Sequence, residues 1–362
     1  MNGQYCEIQE TEILVIGGGA AGLSAAAEAA SAGAEVLVLE SDLHLGGQLV
    51  KQTHKFFGSK DEYAGTRGYL IAGTLLEELS AYPGRVKMMT NTAAMGYYKN
   101  DGVVTAMVGE EEYFKIKPKR IIMATGAQER LIAFPNNDLP GVYGAGAVQT
   151  LMNVYGVRPG DRVLMVGAGN IGLIVSYQLM QAGVKVSAVL EAMPNVGGYW
   201  VHAAKIRRLG VPILLRHTIR AALGSKTVEG ALVESLATGE QMVFDCDVIC
   251  LAVGLTPTSE MLWQADCEMK YVPELCGHVP VRDGRQRTSN GDFWVAGDAA
   301  GIEEASAAMI EGRVAGLDAA ASLGYAVDEG RFAVFDERLR ALRRGETAAK
   351  IRAGLEKVAV AS

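Results

Sequence analysis

The stretch Glu12-Ile-Leu-Val-Ile-Gly17-Gly-Gly-Ala-Ala-Gly22 decides the fold. Four consecutive apolar residues, Ile13 to Ile16, read as a strand buried on both faces and run directly into three glycines. An alanine-rich helical stretch follows, then the apolar run Val36-Leu-Val-Leu39 ending on Glu40. Strand, glycine turn, helix and strand with an acidic end is the pattern of a dinucleotide-binding unit. Gly17 allows the tight turn, and Gly19, followed by Ala20 and Ala21, lets backbone approach a pyrophosphate at the helix N-terminus. Gly22 lets the helix pack close to the sheet. Glu40 stands where a carboxylate accepts bonds from the adenosine ribose hydroxyls.

The unit recurs 150 residues later. Arg162-Val-Leu-Met-Val166 leads into Gly167, Ala168, Gly169, Asn170, Ile171 and Gly172, a helix to about Ala182, and the strand Lys185 to Leu190 closing on Glu191. Two such units predict an α/β chain with two Rossmann-like folds and two nucleotides. A 2′-phosphate at the second would meet the carboxylate of Glu191 with no arginine close behind it, which favours NAD over NADP.

Two further turns separate flavin from nicotinamide. Arg120-Ile-Ile-Met-Ala-Thr-Gly126 is a buried strand ending in a small-residue turn, and Phe293-Trp-Val-Ala-Gly-Asp298 is another. An aspartate directly after a strand-ending glycine, with Ala299 to Ala308 read as a helix, fits a carboxylate on a ribityl chain below a helix N-terminus facing the flavin.

Composition agrees. Glycine supplies 44 of 362 residues, with no collagen period and 10 prolines, so collagen and low-complexity disorder are excluded. The net charge of −7 argues against a nucleic-acid partner, and 5 irregularly spaced cysteines argue against a secreted disulfide scaffold. With no export signal and no uncharged apolar run of ~18 residues, a cytoplasmic protein without a membrane segment is expected.

Together these elements resemble the two-dinucleotide-binding flavoproteins of the pyridine nucleotide-disulfide oxidoreductase and thioredoxin reductase type. The resemblance spans roughly residues 10 to 325 and implies an NAD fold inserted in a split FAD fold. The implied boundaries are 1–128 and 255–325 for FAD, 129–254 for NAD, and a helical tail at 326–362. It assigns Gly17, Gly19, Ala20, Ala21, Gly22 and Glu40 to FAD, with Gly46, Gly47 and Gln48 (the GGQ turn), Thr125, Gly126, Gly297 and Asp298. Gly167, Gly169, Asn170, Ile171, Gly172, Glu191 and Gly254 fall to NAD.

Thioredoxin reductases carry a redox CxxC just before the second fingerprint, but here Gly141 to Thr150 contains no cysteine, nor does Gln48 to Phe57. A dithiol relay needs two thiols close together. Cys246 and Cys250 are expected to point to one face of an apolar strand as small buried hydrophobes. A narrower resemblance rests on Gly126-Ala-Gln-Glu-Arg130, Gly146-Ala-Val-Gln-Thr150, His278-Val-Pro-Val281 and Ala296-Gly-Asp-Ala-Ala-Gly-Ile302. These are similar to FAD-binding alpha-type subunits of heteromeric amine, amino-acid and opine dehydrogenases and oxidases, sarcosine oxidase and hydrogen cyanide synthase among them. It implies an oligomer in which a second dehydrogenase subunit is the partner, with an iron–sulfur centre, where there is one, on a partner. No metal site is expected on this chain.

Hydride transfer between NAD(H) and flavin, with electrons exchanged with the partner, is the resulting expectation. The alternatives are a free-standing NADH:acceptor reductase and a nucleotide-binding structural subunit. Catalytic residues are unassigned; His54 and Lys55, in a loop mixing base, imidazole and aromatics, are the candidates, against a plain solvated loop. Tyr199, Trp200 and His202 follow the pair Gly197-Gly198, near the adenine end of the second nucleotide. In the tail, Phe332, Phe335, Leu339 and Leu342 at helical spacing fit either a helix packed on its own domain or a docking helix for a partner.

Overall fold

The computed structural model describes residues 8–56, 59–110, 112–346 and 348–360. The chain divides into two compact units, Met1–Gln128 with Thr256–Ser362, and Glu129–Leu255.

In the first unit the strand Ile8–Ile16 is central. It pairs in parallel with Val36–Leu39 on one side and Glu112–Met123 on the other, which explains why Ile13, Leu14 and Val15 are fully buried. Val86–Met89 extends the sheet beyond Val36–Leu39, and Phe293–Val295 returns from far along the chain to pair with Ile121–Met123. The parallel sheet is therefore completed only by the C-terminal part of the sequence. The first half of Glu112–Met123 pairs antiparallel with Val103–Val108, which pairs with Thr92–Tyr98.

The alanine-rich helix Ala20–Ala32 lies against Ala305–Ser322, where Gly312 and Gly316 sit directly over the carbonyls of Ala21 and Ala25. Small residues on both helices permit that approach and explain the lack of a conventional amphipathic pattern in either. The tail is part of this unit. Phe332, Phe335 and Leu339 of helix Glu329–Leu342 are buried with Ala307, Ile310, Val314 and Leu317. A second helix, Ala349–Val358, brings Val358 against Val272, Leu275 and Val279.

The second unit repeats the parallel pattern in the order Ile213–Leu215, Lys185–Glu191, Arg162–Val166, Val248–Leu251, Val142–Gly144. Helix Asn170–Gln181 follows its fingerprint, and a three-stranded antiparallel sheet covers His217–Leu223, Gly230–Ser235 and Gln241–Phe244.

Two expectations are corrected. Ala299 to Ala308 is not one helix: a single tight turn, Gly297–Ala300, is broken at Gly301, whose φ of 143° no helix accommodates, and the long helix starts at Ala305. Cys246 and Cys250 do not share a face. Cys246 precedes the strand Val248–Leu251, so strand alternation does not reach it; it packs with Ile249 and Leu251, whereas Cys250 packs with Val248 on the other side.

Candidate functional site

In the first unit four turns meet around the start of helix Ala20–Ala32. Gly17 has φ of 106°, and a Cβ there would lie 2.2 Å from the Ala124 carbonyl, so both turn geometry and the adjoining strand demand glycine. A Cβ on Gly22 would lie 1.8 Å from the Gly17 carbonyl. The Gly46-Gly47 turn closes over the fingerprint. Gly46 N–H donates to the Gly18 carbonyl at 2.8 Å, and a Cβ on Gly47 would stand 2.8 Å from the Gly19 Cα. Gly297 abuts Ala21. Thr125 Oγ1 donates to the Thr258 carbonyl at 2.6 Å, which fixes the turn leading to Gly126.

Glu40 is 8% exposed. Its Oε2 accepts from Gly18 N–H and its Oε1 from Asp42 N–H, both at 2.8 Å. Oε1 also accepts from Ser41 Oγ at 3.3 Å, so Oε2 is the oxygen that keeps a lone pair for a ribose hydroxyl. Asp298 accepts from Glu303 N–H at 3.3 Å. Burial pushes its carboxyl up to about 6, with Glu311 and Glu303 adding to the rise and the Glu303 N–H opposing it. The backbone-lined cradle at Gly17 to Gly22, where a Cβ on Gly19 would meet nothing closer than 3.8 Å, and the partly engaged Glu40 together fit the pyrophosphate and ribose of a dinucleotide.

The second unit reproduces this cradle. Gly167 has φ of 109°, with a Cβ position 2.2 Å from the Ala252 carbonyl, and the Cβ position of Gly172 is 2.1 Å from the Gly167 carbonyl. Glu191 Oε2 accepts from Ala168 N–H at 2.9 Å and its Oε1 from Met193 N–H at 3.0 Å, the pattern of Glu40. Gly197-Gly198 takes the part of Gly46-Gly47: Gly198 N–H donates to the Ala168 carbonyl at 3.0 Å. Asn170 Oδ1 accepts from Tyr199 N–H at 2.8 Å, so the fingerprint itself holds this loop. Ile171 and Trp200 are exposed, Trp200 by 79%, so Trp200 does not cover the next helix. His202 is pushed below the ordinary imidazole value, first by burial and then by Lys205. Gly254, with φ of 117°, accepts at its carbonyl from Arg130 N–H.

The structure thus gathers Gly17, Gly19, Ala21, Gly22, Glu40, Gly46, Gly47 and Gly297 in one cradle and Gly167, Gly169, Gly172, Glu191 and Asn170 in the other. Gln48 is exposed beside the first. His54 stacks on Phe56 with ring centres 5.8 Å apart, and Lys55 is exposed with its backbone bridged to Arg67.

Among the described residues no two cysteines form a disulfide. Cys246, Cys250 and Cys267 are buried and Cys276 half-buried, all without disulfides; Cys6 lies outside the described residues. Burial pushes Cys246 up to about 12 and raises Cys250 and Cys267 as well. Among the described residues no group of three or more His, Cys, Asp or Glu is placed to hold a metal, and no helix is long and apolar enough to cross a membrane.

Sequence reasoning missed the charges behind the Gly297–Asp298 turn. Glu311, 3% exposed, accepts Gly297 N–H at 3.0 Å, and the tail residue Arg343 pairs with both Glu311 and Glu303. One signal was present: Glu311, with Arg313 and Asp318, is a charge set into a stretch of small and apolar residues.

Two dinucleotide folds with an acid at each second strand define a class, the two-nucleotide flavoprotein. Residues 11–312 match the model of the pyridine nucleotide-disulphide oxidoreductase family, and the chain belongs to that family. It is a FAD-dependent oxidoreductase, of a family that binds FAD and NAD(P). It is 29% identical over 336 residues to the A subunit of opine oxidase from Agrobacterium tumefaciens (strain Ach5), covering 86% of this chain and 66% of that one. Against the alpha subunit of sarcosine oxidase from Corynebacterium sp. (strain P-1) it is 29% identical over 333 residues, covering 87% of this chain and 33% of that one. The chain thus spans less than two thirds of the length of these relatives. L-proline dehydrogenase from P. horikoshii shares the fold with a TM-score of 0.73 at 24% identity, over 92% of this chain and 60% of that one.

Proposed function

We propose that the chain is the electron-transferring subunit of a heteromeric dehydrogenase acting on a small amine, amino acid, opine or hydroxy acid. It holds FAD in residues 1–128 with 255–325 and NAD(H) in 129–254. FAD, when bound, supplies the hydride exchange with NAD(H) and the onward electron transfer.

The observation that carries this reading is the repetition of the carboxylate geometry, Glu40 in the first unit and Glu191 in the second. The second fold keeps the complete apparatus for an adenosine ribose. A 2′-phosphate would meet the Glu191 carboxylate, which favours NAD; the exposed Arg216, whose backbone N–H donates to the Met193 carbonyl at 3.2 Å, follows the neighbouring strand. The role of Glu40 is to fix the adenosine end in the first fold, and that of Gly17, Gly19 and Gly22 is to bring N–H groups to the pyrophosphate. Gly46, Gly47, Gln48, Thr125, Gly126, Gly297 and Asp298 surround the remainder of FAD. With Cys246, Cys250 and Cys267 buried and held protonated, electrons leave by a route other than a dithiol among these three.

The subunit names of the relatives support a heteromeric assembly; in this reading any iron–sulfur centre sits on a partner. The scarce, irregularly spaced cysteines support a cytoplasmic location. The test is native purification. Co-isolation of a second redox subunit, together with substrate:acceptor activity that the chain alone lacks, is the expected result. Full NADH:acceptor turnover by the chain alone with no co-isolated subunit contradicts it and favours the free-standing reductase.

A further inference from the structure

We propose that Arg343, the residue that caps the C-terminus of helix Glu329–Leu342, is a positioning residue for the turn Gly297–Asp298, and that through it the C-terminal tail sets FAD affinity. This rests on the FAD site described above and names a determinant of it outside the fingerprint.

The connections run along two short paths. Arg343 Nη2 donates to Glu311 Oε1 at 2.6 Å, and the other oxygen of Glu311 accepts Gly297 N–H at 3.0 Å. Arg343 Nε and Nη2 also donate to both oxygens of Glu303, at 3.0, 3.1 and 2.7 Å, while the backbone N–H of Glu303 donates to Asp298 Oδ1. One guanidinium therefore fixes the partner of each residue of the turn. All three side chains are shielded: Arg343 is 13% exposed, Glu303 15% and Glu311 4%.

The electrostatics make Arg343 necessary to this arrangement. Two carboxylates converge on its fork, and in a shielded site like charges of that kind stay together only around a cation. Arg282, 5% exposed, is the next cation, 4.0 Å from Glu311. Without Arg343 the carboxylates repel each other and Asp298 and pull on the N–H groups that shape the turn. Both Glu311 and Glu303 already raise the Asp298 carboxyl, so Arg343 neutralises the groups that oppose its ionisation.

Arg313 supplies a built-in control. It lies in the same unit, is 15% exposed and pairs with Glu28 and Glu78, yet it makes no bond to the turn or to a residue that does. A purely structural buried arginine behaves like Arg313.

The experiment measures FAD dissociation constants by flavin fluorescence, the visible circular dichroism of bound flavin, and thermal unfolding, for the full chain and its variants. Arg343→Met is expected to weaken FAD binding at least about tenfold and to alter the flavin dichroism, with Arg343→Lys recovering much of the loss. Arg313→Met is expected to lower thermal stability while FAD affinity stays within about twofold. Folded Arg343→Met with wild-type affinity and dichroism overturns the proposal, as does an equal loss of affinity in Arg313→Met. If Arg343→Met does not fold, the pair Glu311→Gln and Glu311→Ala decides. Gln has one oxygen for two donors, so keeping the Gly297 bond sets its NH2 against Arg343; it should lose at least about threefold, and Ala, which removes both contacts, at least about tenfold, while wild-type affinity in either overturns the proposal. A wild-type chain that takes up no FAD strikes the site itself, whereas a wild type that binds FAD beside indifferent variants strikes only the role of Arg343.

Discussion

The two nucleotide folds are nearly the same object at the fingerprint and different objects behind it. In both, a positive-φ glycine turns the chain under a neighbouring strand, and a carboxylate at the end of the second strand accepts one backbone N–H of the turn and one two residues beyond itself. In the first unit the fingerprint helix is covered by Ala305–Ser322, and the Gly297–Asp298 turn is backed by buried ion pairs. In the second the fingerprint helix exposes Ile171, the covering loop is held by the side chain of Asn170, and Trp200 stands in solvent. That difference suits the proposed division of labour, a walled site for a resident FAD and an open one for an exchanging NAD(H).

The largest expected effect breaks the two sites separately. Gly22→Val drives a side chain into the Gly17 carbonyl and is expected to cost roughly 3 kcal/mol and abolish FAD incorporation. Gly172→Val meets the same obstacle at the Gly167 carbonyl and is expected to abolish reduction by NADH while the chain keeps its flavin. Flavin content and the NADH-dependent loss of flavin absorbance check both. A Gly172→Val chain that is reduced normally breaks the comparison.

Asp298 belongs to the first fold, and its pH dependence sharpens the contrast. Its folded value of about 6 lies above its ordinary 3.8, so the folded state holds the proton more tightly than the unfolded chain. Its contribution to stability is therefore complete below pH 3.8, is lost as pH rises to about 6, and is flat above. Asp298→Asn should stabilise the FAD-free protein at pH 7 by about 2 kcal/mol relative to pH 4 while weakening FAD binding. Denaturant unfolding at the two pH values checks this, and an equal effect at both would show that the carboxyl is not shifted.

A smaller effect belongs to the second carboxylate. Glu191→Gln is expected to weaken NADH binding about tenfold and to narrow the preference over NADPH, with no change in flavin content. Titration with both nucleotides measures it. The smallest expected effect is that of Cys246→Ala and Cys250→Ala, which should leave the rate of flavin reduction within about twofold, because both thiols are buried and protonated. A large loss would restore a thiol step.

What the sequence made legible follows from how local the constraint is. The two fingerprints could be read because backbone approach to a neighbouring strand forces glycine at fixed short spacings, and each acid lies at the end of the next strand. The pair Gly197-Gly198 was visible but its likeness to Gly46-Gly47 emerges only from the hydrogen bonds to Ala168 and Gly18. Arg343 could not be read at all. Its partners lie 32 and 40 residues away, and no periodicity links a tail arginine to a flavin turn. The helix expected from Ala299 failed because Gly301, one residue among many alanines, stops it. The shared face expected of Cys246 and Cys250 failed because strand alternation applies only inside the strand.

The central claim is that the second fold delivers electrons to flavin in the first without a thiol of this chain. Anaerobic mixing of the FAD-loaded chain, its cysteines replaced by alanine, with NADH tests it most directly. The account predicts bleaching of the flavin band by NADH and much slower bleaching by NADPH; a flavin that stays oxidised while NADH is bound would contradict it.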